Sequence, residues 1–343
     1  MKTIEEGKAK IRISEESKIS RKLPVFYNPV MKFNRDISIL LLNSLPDKDL
    51  QIGLPLSGSG IRGIRFLLEL KKNKIKNISF NDNKSDFVKI LNENFKISNI
   101  KKNKDIIISN EDANLFMLNT SGFSYIDIDP FGTPNPFLDA AITRLSREGI
   151  LAVTATDTSA LCGTYENACK RKYWAVPLRN ELKHEIGIRI LIRKVQLIAA
   201  QFDKALTPIF SYSKEHYFRV FFRCKKGKTR VDKVIKKHGM IGKTGPLWFG
   251  SLWHKPLVKK MLKNADPKLE KFLGMIMSES EINVVGFHDI HKICEHKKLY
   301  VPKYEPLMET IRKRGFQASR THFSDFGIRS NISLNELVEI IKN

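Results

Sequence analysis

Cysteine, acidic residues and long apolar runs are all in short supply in this chain, and each shortage excludes something. The four cysteines, Cys162, Cys169, Cys224 and Cys294, form no C-x-x-C pair, so neither a zinc site nor a redox couple is expected and the thiols should be reduced and buried. No apolar stretch approaches the ~18–20 residues that cross a bilayer. Residues 1–22 alternate acid and base without the apolar core of a secretory signal, which predicts a cytoplasmic protein with no membrane contact. There is no internal repeat and no low-complexity tract beyond lysine-rich turns. Acidic residues number 36 against 60 Lys and Arg, a net charge of +24. Such an imbalance repels itself unless a polyanion is near, and nucleic acid is the expected polyanion; an organism-wide lysine bias is the alternative.

What is present reads as globular: 343 residues, 42% hydrophobic and 28% charged, enough for one or two cores. Between residues 50 and 157 a short apolar run, a polar or glycine turn and an amphipathic stretch recur, the rhythm of a parallel α/β sheet. Strands are expected at 51–56, 77–80, 105–109, 125–129 and 150–154, with their C-terminal ends lining one rim, where such sheets bind ligands. Ile188, Leu191, Ile192, Val195, Ile198 and Ala199 share one face of a helix over 181–202. The stretch 210–224 is aromatic and β-branched and predicts one or two closing strands. The basic stretch 225–237 is expected to be an exposed hairpin or linker, and 242–252 a compact turn-rich segment. A domain boundary is placed near Trp253. Beyond it, helices near 256–278, 289–296 and 303–314 and an extended piece at 316–323 suggest a winged-helix-like module.

Three strand ends carry groups suited to a nucleotide-like cofactor. Gly58-Ser59-Gly60-Ile61-Arg62-Gly63 follows the first strand and opens a helix, satisfying G-x-G-x-x-G; dinucleotide enzymes, methyltransferases and plain tight turns all use it. Asp82 ends the second strand, where an acid meets ribose hydroxyls, or is an exposed turn aspartate. Asp112-Ala113 follows the third, where methyltransferase folds commonly contact adenine. The fourth strand decides: Asp129-Pro130-Phe131 at its end resembles the Asp-Pro-Pro-Tyr loop of amino methyltransferases. The lone pair of an exocyclic amine is delocalised into its ring, so the amine is a poor nucleophile. A carboxylate and a carbonyl that accept its hydrogens localise the pair, while an aromatic face holds the base. Asp129 would be the acceptor, Pro130 the carbonyl and Phe131 the stacking ring. Asp127 shares a strand face with Asp129; a metal would need a third ligand, and none suggests itself.

Together these segments resemble the tRNA (guanine(26)-N2)-dimethyltransferase family. The likeness rests on Gly7-Lys8-Ala9-Lys10-Ile11, Pro24-Val25-Phe26-Tyr27-Asn28-Pro29 and Asn34-Arg35-Asp36, then on Asp129-Pro130-Phe131-Gly132 and Leu161-Cys162-Gly163. Arg171-Lys172-Tyr173, His184-Glu185-Ile186-Gly187 and Arg320-Thr321-His322-Phe323-Ser324 complete it, so it spans nearly the whole chain. The resemblance implies a Rossmann-like class I methyltransferase domain, 1–253, with a smaller, mainly helical C-terminal tRNA-binding domain, 254–343. It implies transfer of one or two methyl groups from S-adenosylmethionine to the N2 of a guanine in tRNA. Arg35, Gly58, Gly60, Arg62, Asp82, Asp112 and Ala113 would contact the cofactor, Asp129 would be catalytic, and Phe26, Pro130 and Phe131 would hold the base. Two departures stand out: Leu54 occupies the position of the family's first-strand acid, and the family's cysteine-rich insertion is absent, which predicts no zinc.

Affinity for tRNA would come from phosphate contacts by two basic runs. One contains Lys225, Lys226 and Arg230; the other contains Arg312, Arg314 and Arg320, interleaved with Phe316 and His322. A solvated lysine face is the bland alternative for either. The protein is expected to act as a monomer. Two other functions remain in view: an adenine-N6 methyltransferase, which needs the same amine chemistry, and a catalytically silent RNA-binding protein.

Overall fold

The computed structural model describes residues 1–14 and 26–342; Pro24 and Val25 of the N-terminal block lie outside them. The chain begins with a hairpin, β1 (Lys2–Glu6) and β2 (Ala9–Ile13), turned at Gly7 with φ of 59°. The alternating charges of this stretch conceal it: alternate residues of a strand face opposite ways, and Ala9, Ile11 and Ile13 point inward while their neighbours stay in water.

Helix α1 (Lys32–Ser44) then leads into the expected βα rhythm: β3 (Leu50–Leu54), α2 (Ile61–Glu69), β4 (Ile75–Asn81), α3 (Phe87–Ile97), β5 (Ile106–Ser109), α4 (Ala113–Leu118), β6 (Phe123–Ile128), α5 (Leu138–Arg144) and β7 (Leu145–Ala155). Helices α6 (Thr158–Leu161), α7 (Glu166–Tyr173) and α8 (Lys183–Ala200) precede β8 (Lys204–Lys214) and β9 (Tyr217–Lys226). The strands form one sheet in the order β5-β4-β3-β6-β7-β9-β8, and β5, β4, β3, β6 and β7 pair in parallel. The chain steps outward from β3 to β5, then returns to the other side of β3 with β6. That reversal opens a crevice at the C-terminal ends of β3 and β6. Ile52, Ile78, Phe80, Ile126, Ile128 and Val153 are buried, as continuous apolar strands covered on both faces should be.

The basic stretch after β9 departs from expectation. It contains helix α9 (Lys228–Ile235) in place of a hairpin or linker, because Val231 and Val234 fall on one face and are buried. The expected turn-rich segment holds a strand of a second hairpin, β10 (His238–Ile241) and β11 (Thr244–Trp248). The single helix anticipated over 256–278 is two, α10 (Lys255–Lys263) and α11 (Pro267–Ser280). The Asp266 side chain caps the second by accepting the Lys268 N–H at 3.0 Å, and Pro267 sits where its missing N–H costs nothing. The chain ends with β12 (His288–Asp289), α12 (Ile290–Lys297), α13 (Tyr304–Lys313), β13 (Ala318–Thr321), β14 (Ser324–Ser330) and α14 (Leu334–Lys342). Two helices followed by a hairpin give the winged-helix-like arrangement, around a core that includes Ile290, Leu307, Ile311, Ile328 and Leu337.

The chain divides into two compact units that interleave along the sequence. One comprises Met1–Asp157, Val195–Thr207 and Arg219–Lys236; the other comprises Thr158–Lys194, Pro208–Phe218 and Lys237–Asn343. A single cut near Trp253 is a division by sequence order, coarser than this interleaving. The second unit is pinned by buried charges. Glu185 accepts from Arg189 Nε at 2.9 Å and from Arg329 Nη2 at 2.6 Å, and Arg329 Nε also reaches Glu279 at 3.1 Å. Burial alone would raise the Glu185 carboxyl, but the Arg329 and Arg189 charges outweigh it and hold its pKa at about 2. The four cysteines are free and buried. Among the described residues no helix is long and apolar enough to cross a membrane, and no group of three or more His, Cys, Asp or Glu side chains is placed to hold a metal ion.

Candidate active site

The crevice holds a cavity of about 370 Å³ within the first unit. Its floor is the loop between β3 and α2. Gly58 and Gly60 adopt φ of 55° and 79°, the left-handed region that favours glycine. A side chain at Gly60 would strike Leu91 of α3 at 2.3 Å, and one at Gly63 would strike Phe80 of β4 at 2.1 Å, so Gly60 lets the loop pack on α3 and Gly63 lets α2 pack directly on the sheet. Asp82, just beyond β4, accepts the Gly58 N–H at 2.8 Å and the Lys84 N–H at 3.2 Å, which ties the acid to the loop. Asn81, fully buried beside it, donates to Pro55 O at 3.1 Å and Glu111 O at 3.0 Å. The tips of three neighbouring strands are thereby joined by one amide.

On the opposite wall, β6 ends in Asp129-Pro130-Phe131-Gly132. Thr156, just past β7, clamps this loop by accepting the Gly132 N–H at 2.7 Å, while its own N–H donates to Gly132 O at 2.9 Å. The Phe131 ring is partly open to solvent and meets Phe26 edge to face, with centroids 4.4 Å apart and planes at 67°. Asp129 lines the cavity, its side chain 18% exposed, and one carboxylate oxygen is paired with Arg62 Nη2.

Arg62 is held in turn. Its Nη1 donates to Asn34 Oδ1 at 3.0 Å and Ser38 Oγ at 3.1 Å and lies 3.4 Å from Asp127 Oδ2. Asp127 is fully buried, and its two oxygens receive Arg219 Nη1 at 2.8 Å and Nη2 at 2.7 Å and the Tyr125 hydroxyl at 2.5 Å. Burial opposes its ionisation, but the Arg219 and Arg62 charges prevail and hold the carboxyl below its usual range. The Tyr125 hydroxyl is pushed well above its usual value by burial and by the Asp127 charge. Asp127 is thus the anchor of a buried network, and its oxygens are already engaged.

Arg35 also lines the cavity, but its guanidinium is bound by a carboxylate from the N-terminal hairpin. Its Nε and Nη2 meet the two oxygens of Glu6 at 2.7 and 2.5 Å, and Nη2 reaches Asn28 O at 3.1 Å. Glu6 additionally accepts from Tyr27 OH at 2.9 Å and Arg65 Nη1 at 2.9 Å. Burial would raise the Glu6 carboxyl, yet the bonds and charge of Arg35 bring it down to about 2. Burial and the Glu6 charge push Tyr27 up to about 12.

Of the residues singled out in the sequence, the cavity therefore gathers Arg35, Gly58, Arg62, Asp82, Asp129 and Pro130, together with Phe26 and Phe131. Gly60, Asp112 and Ala113 do not line it. Asp112 caps α4, accepting the N–H groups of Asn114 at 2.8 Å and Leu115 at 3.2 Å, and Ala113 is buried in that helix's first turn. Lys225, Lys226 and Arg230 lie in the first unit, and Arg312, Arg314 and Arg320 in the second. Arg312 Nη2 donates to Ala318 O at 2.8 Å, and the Arg320 guanidinium lies 3.9 Å from the Tyr304 ring centroid. The side chain of His322, read with the second basic run, is instead buried, with Nδ1 2.6 Å from Glu279 Oε1. Glu6, Asn34, Ser38, Asn81 and Arg219 escaped the sequence reading. Asn34 was seen only as part of the block Asn34-Arg35-Asp36, and Arg219 left a trace of its own: a single charge inside the aromatic run Tyr217-Phe218-Arg219-Val220-Phe221-Phe222 must have a buried partner.

The chain is similar to known proteins over nearly its whole length. The family model described as N2,N2-dimethylguanosine tRNA methyltransferase matches residues 7–244 and 238–342. A relative from Aquifex aeolicus, named tRNA (guanine(26)-N(2)/guanine(27)-N(2))-dimethyltransferase, is 40% identical over 99% of this chain and 95% of its own. One from Methanococcus maripaludis, named tRNA (guanine(26)-N(2))-dimethyltransferase, is 37% identical over 99% of this chain and 98% of its own. Among solved structures, Trm1 from Pyrococcus horikoshii, described as a complex with S-adenosyl-L-methionine, superposes with a TM-score of 0.91 at 36% identity, covering 100% of both chains.

Proposed function

Because the chain belongs to the N2,N2-dimethylguanosine tRNA methyltransferase family, we propose that its cavity activates the N2 amine of a guanine in tRNA, guanine 26 as in the named relatives, with Asp129 as the accepting carboxylate. It is an S-adenosylmethionine-dependent tRNA guanine-N2 methyltransferase. The observation that carries the mechanistic reading is the position of Asp129, on the same cavity as the glycine loop and beside the Phe26–Phe131 pair.

The residues present fit the cofactor. Backbone at Gly58 allows close approach, and Asp82, tethered to that backbone, presents an acid suited to a ribose diol. Arg35 and Arg62 act on this side through the walls they brace. Bound there, S-adenosylmethionine supplies an electrophilic sulfonium methyl. The chain's own residues do the rest. Arg62 takes one oxygen of Asp129 and fixes the carboxylate's orientation, which leaves the other oxygen to accept a hydrogen of the guanine amine. The Pro130 carbonyl accepts the second, and the amine's electron pair is freed for attack; Asp129 then takes the proton. Phe26 and Phe131 hold the extruded base by ring contact.

Phosphate contacts would come from Lys225, Lys226 and Arg230 and, in the segment 254–343, from Arg312, Arg314 and Arg320. The reading places the enzyme with its tRNA substrate in the cytoplasm, as a monomer, and the amine chemistry requires no metal. Incubation with labelled cofactor and bulk tRNA, followed by digestion to nucleosides, tests it: label is expected in N2-methylguanosine or N2,N2-dimethylguanosine. Label in N6-methyladenosine would move the enzyme to adenine, and tRNA binding without label would make it a silent binder.

A further inference from the structure

Trp174 is an exposed tryptophan that does not line the cavity. It ends helix α7 with φ of 54° and ψ of 41°, a left-handed conformation that is strained for a bulky side chain, and the residue is 50% exposed. Trp248 and Trp253, the other two tryptophans, are 2% and 6% exposed. A tryptophan kept half exposed in a strained conformation gains less by burial than Trp248 or Trp253, and the part of it in solvent is free to be presented to a ligand.

Its surroundings are cationic. Lys194 Nζ sits 2.9 Å from the indole centroid, a cation–π contact that fixes the ring, and Arg193 Nη1 donates to the Trp174 carbonyl at 3.2 Å. Arg171 and Lys172, the residues of α7 that precede Tyr173, are exposed. The helix's one acid, Glu166, is already paired with Lys170 at 2.5 Å. An immobilised aromatic plane ringed by cations has the chemistry of a nucleic-acid stacking site: the plane takes a base and the cations take its phosphates.

We propose that Trp174 is a stacking platform for an unpaired nucleotide of the tRNA, with Arg171 and Lys172 contacting the adjoining phosphates. This rests on the tRNA substrate of the reading above but not on the chemistry assigned to Asp129. It adds a contact for a second nucleotide, apart from the guanine that is methylated.

The test uses the full chain and a tRNA transcript carrying guanine 26. Glycine accepts the backbone of residue 174 without strain, so in Trp174→Gly the relief of that strain offsets part of what is lost with the ring and its Lys194 contact, and thermal unfolding confirms that the variant is folded. Trp174→Gly is expected to bind the transcript roughly tenfold more weakly and to raise the KM for tRNA by the same factor, leaving the KM for the cofactor in place. Trp174→Phe, which restores a ring, should recover most of the affinity, and tryptophan emission of the parent protein should fall on adding tRNA because the exposed indole dominates the response. Binding by Trp174→Gly within twofold of the parent, with the parent's emission unchanged by tRNA, would overturn the platform; a ring that serves a protein partner would give that same result. Weakened binding by Trp174→Gly in a protein that methylates no guanine would leave the platform standing and remove the catalytic reading.

Discussion

Replacing Asp129 tests the catalytic reading most directly, and the structure sets both halves of the expected result. In Asp129→Ala the carboxylate that accepts the amine's hydrogen is gone. A positioned general base contributes ~10²–10⁴-fold to rate, about 3–5 kcal/mol of transition-state stabilisation. Stability should move much less. Arg62 loses one partner, but Asn34 Oδ1 at 3.0 Å, Ser38 Oγ at 3.1 Å and Asp127 Oδ2 at 3.4 Å remain to hold its charge. Arg62 is buried, so leaving it short of one partner costs about 1–3 kcal/mol, with those three acceptors limiting the loss. Single-turnover transfer of labelled methyl at saturating tRNA reads the first effect, and thermal unfolding with filter binding of tRNA reads the second. Loss of at least a hundredfold in rate, with tRNA affinity within about twofold, is expected. Asp129→Asn separates charge from shape, because it retains an acceptor oxygen without the ability to take the proton; it should be nearly as slow as the alanine variant. A turnover in either variant above about a tenth of the parent's would refute the assignment of Asp129 as acceptor.

Other outcomes follow from the same coordinates. Arg219→Met leaves the buried Asp127 carboxylate without its two-pronged partner, and the cost is about 3–5 kcal/mol in urea unfolding; Arg219→Met combined with Asp127→Leu should regain much of it, and an unchanged midpoint in the single variant would contradict the network. Acid should unfold the protein as Glu6 and Glu185 take up protons. Each has a pKa of about 2 in place of 4.5, so its stabilisation is complete above pH 4.5 and is lost as pH falls toward 2, by about 3 kcal/mol per group, readable as a falling denaturation midpoint across that window. Phe131→Ala should raise the KM for tRNA and lower turnover by roughly tenfold while leaving cofactor affinity, measured by calorimetry, close to the parent's. Raising salt from low to moderate concentration should weaken tRNA binding steeply if the two basic runs meet phosphates, and a flat dependence would exclude them.

The parts of the site legible in the sequence are those whose signal is local. The glycine loop, Asp82 and the Asp129-Pro130-Phe131 turn each announce themselves within a few residues, since a strand end, a tight turn and the group it carries are contiguous. The groups that hold them are not. Glu6 binds Arg35 from 29 positions away, and Arg219 binds Asp127 from 92, distances over which no periodicity operates. The same limit explains α9: a count of lysines across 225–237 registers charge, whereas the helix is decided by Val231 and Val234, two residues in thirteen positions. Asp112 shows the converse, a residue at the anticipated strand end whose side chain serves its own helix.

The buried pair of Asp127 and Arg219 also dictates when a nascent chain can finish its catalytic half. At a ribosomal pace of ~5–20 residues per second, the 92 residues that separate the partners occupy about 5–20 s. Throughout that interval the carboxylate of a newly made β6 has Arg62 at hand but no guanidinium from β9, so its two strongest hydrogen bonds are missing and the centre of the sheet is incomplete. Any message truncated ahead of codon 219 therefore encodes the glycine loop and the reactive aspartate together, yet yields no enzyme.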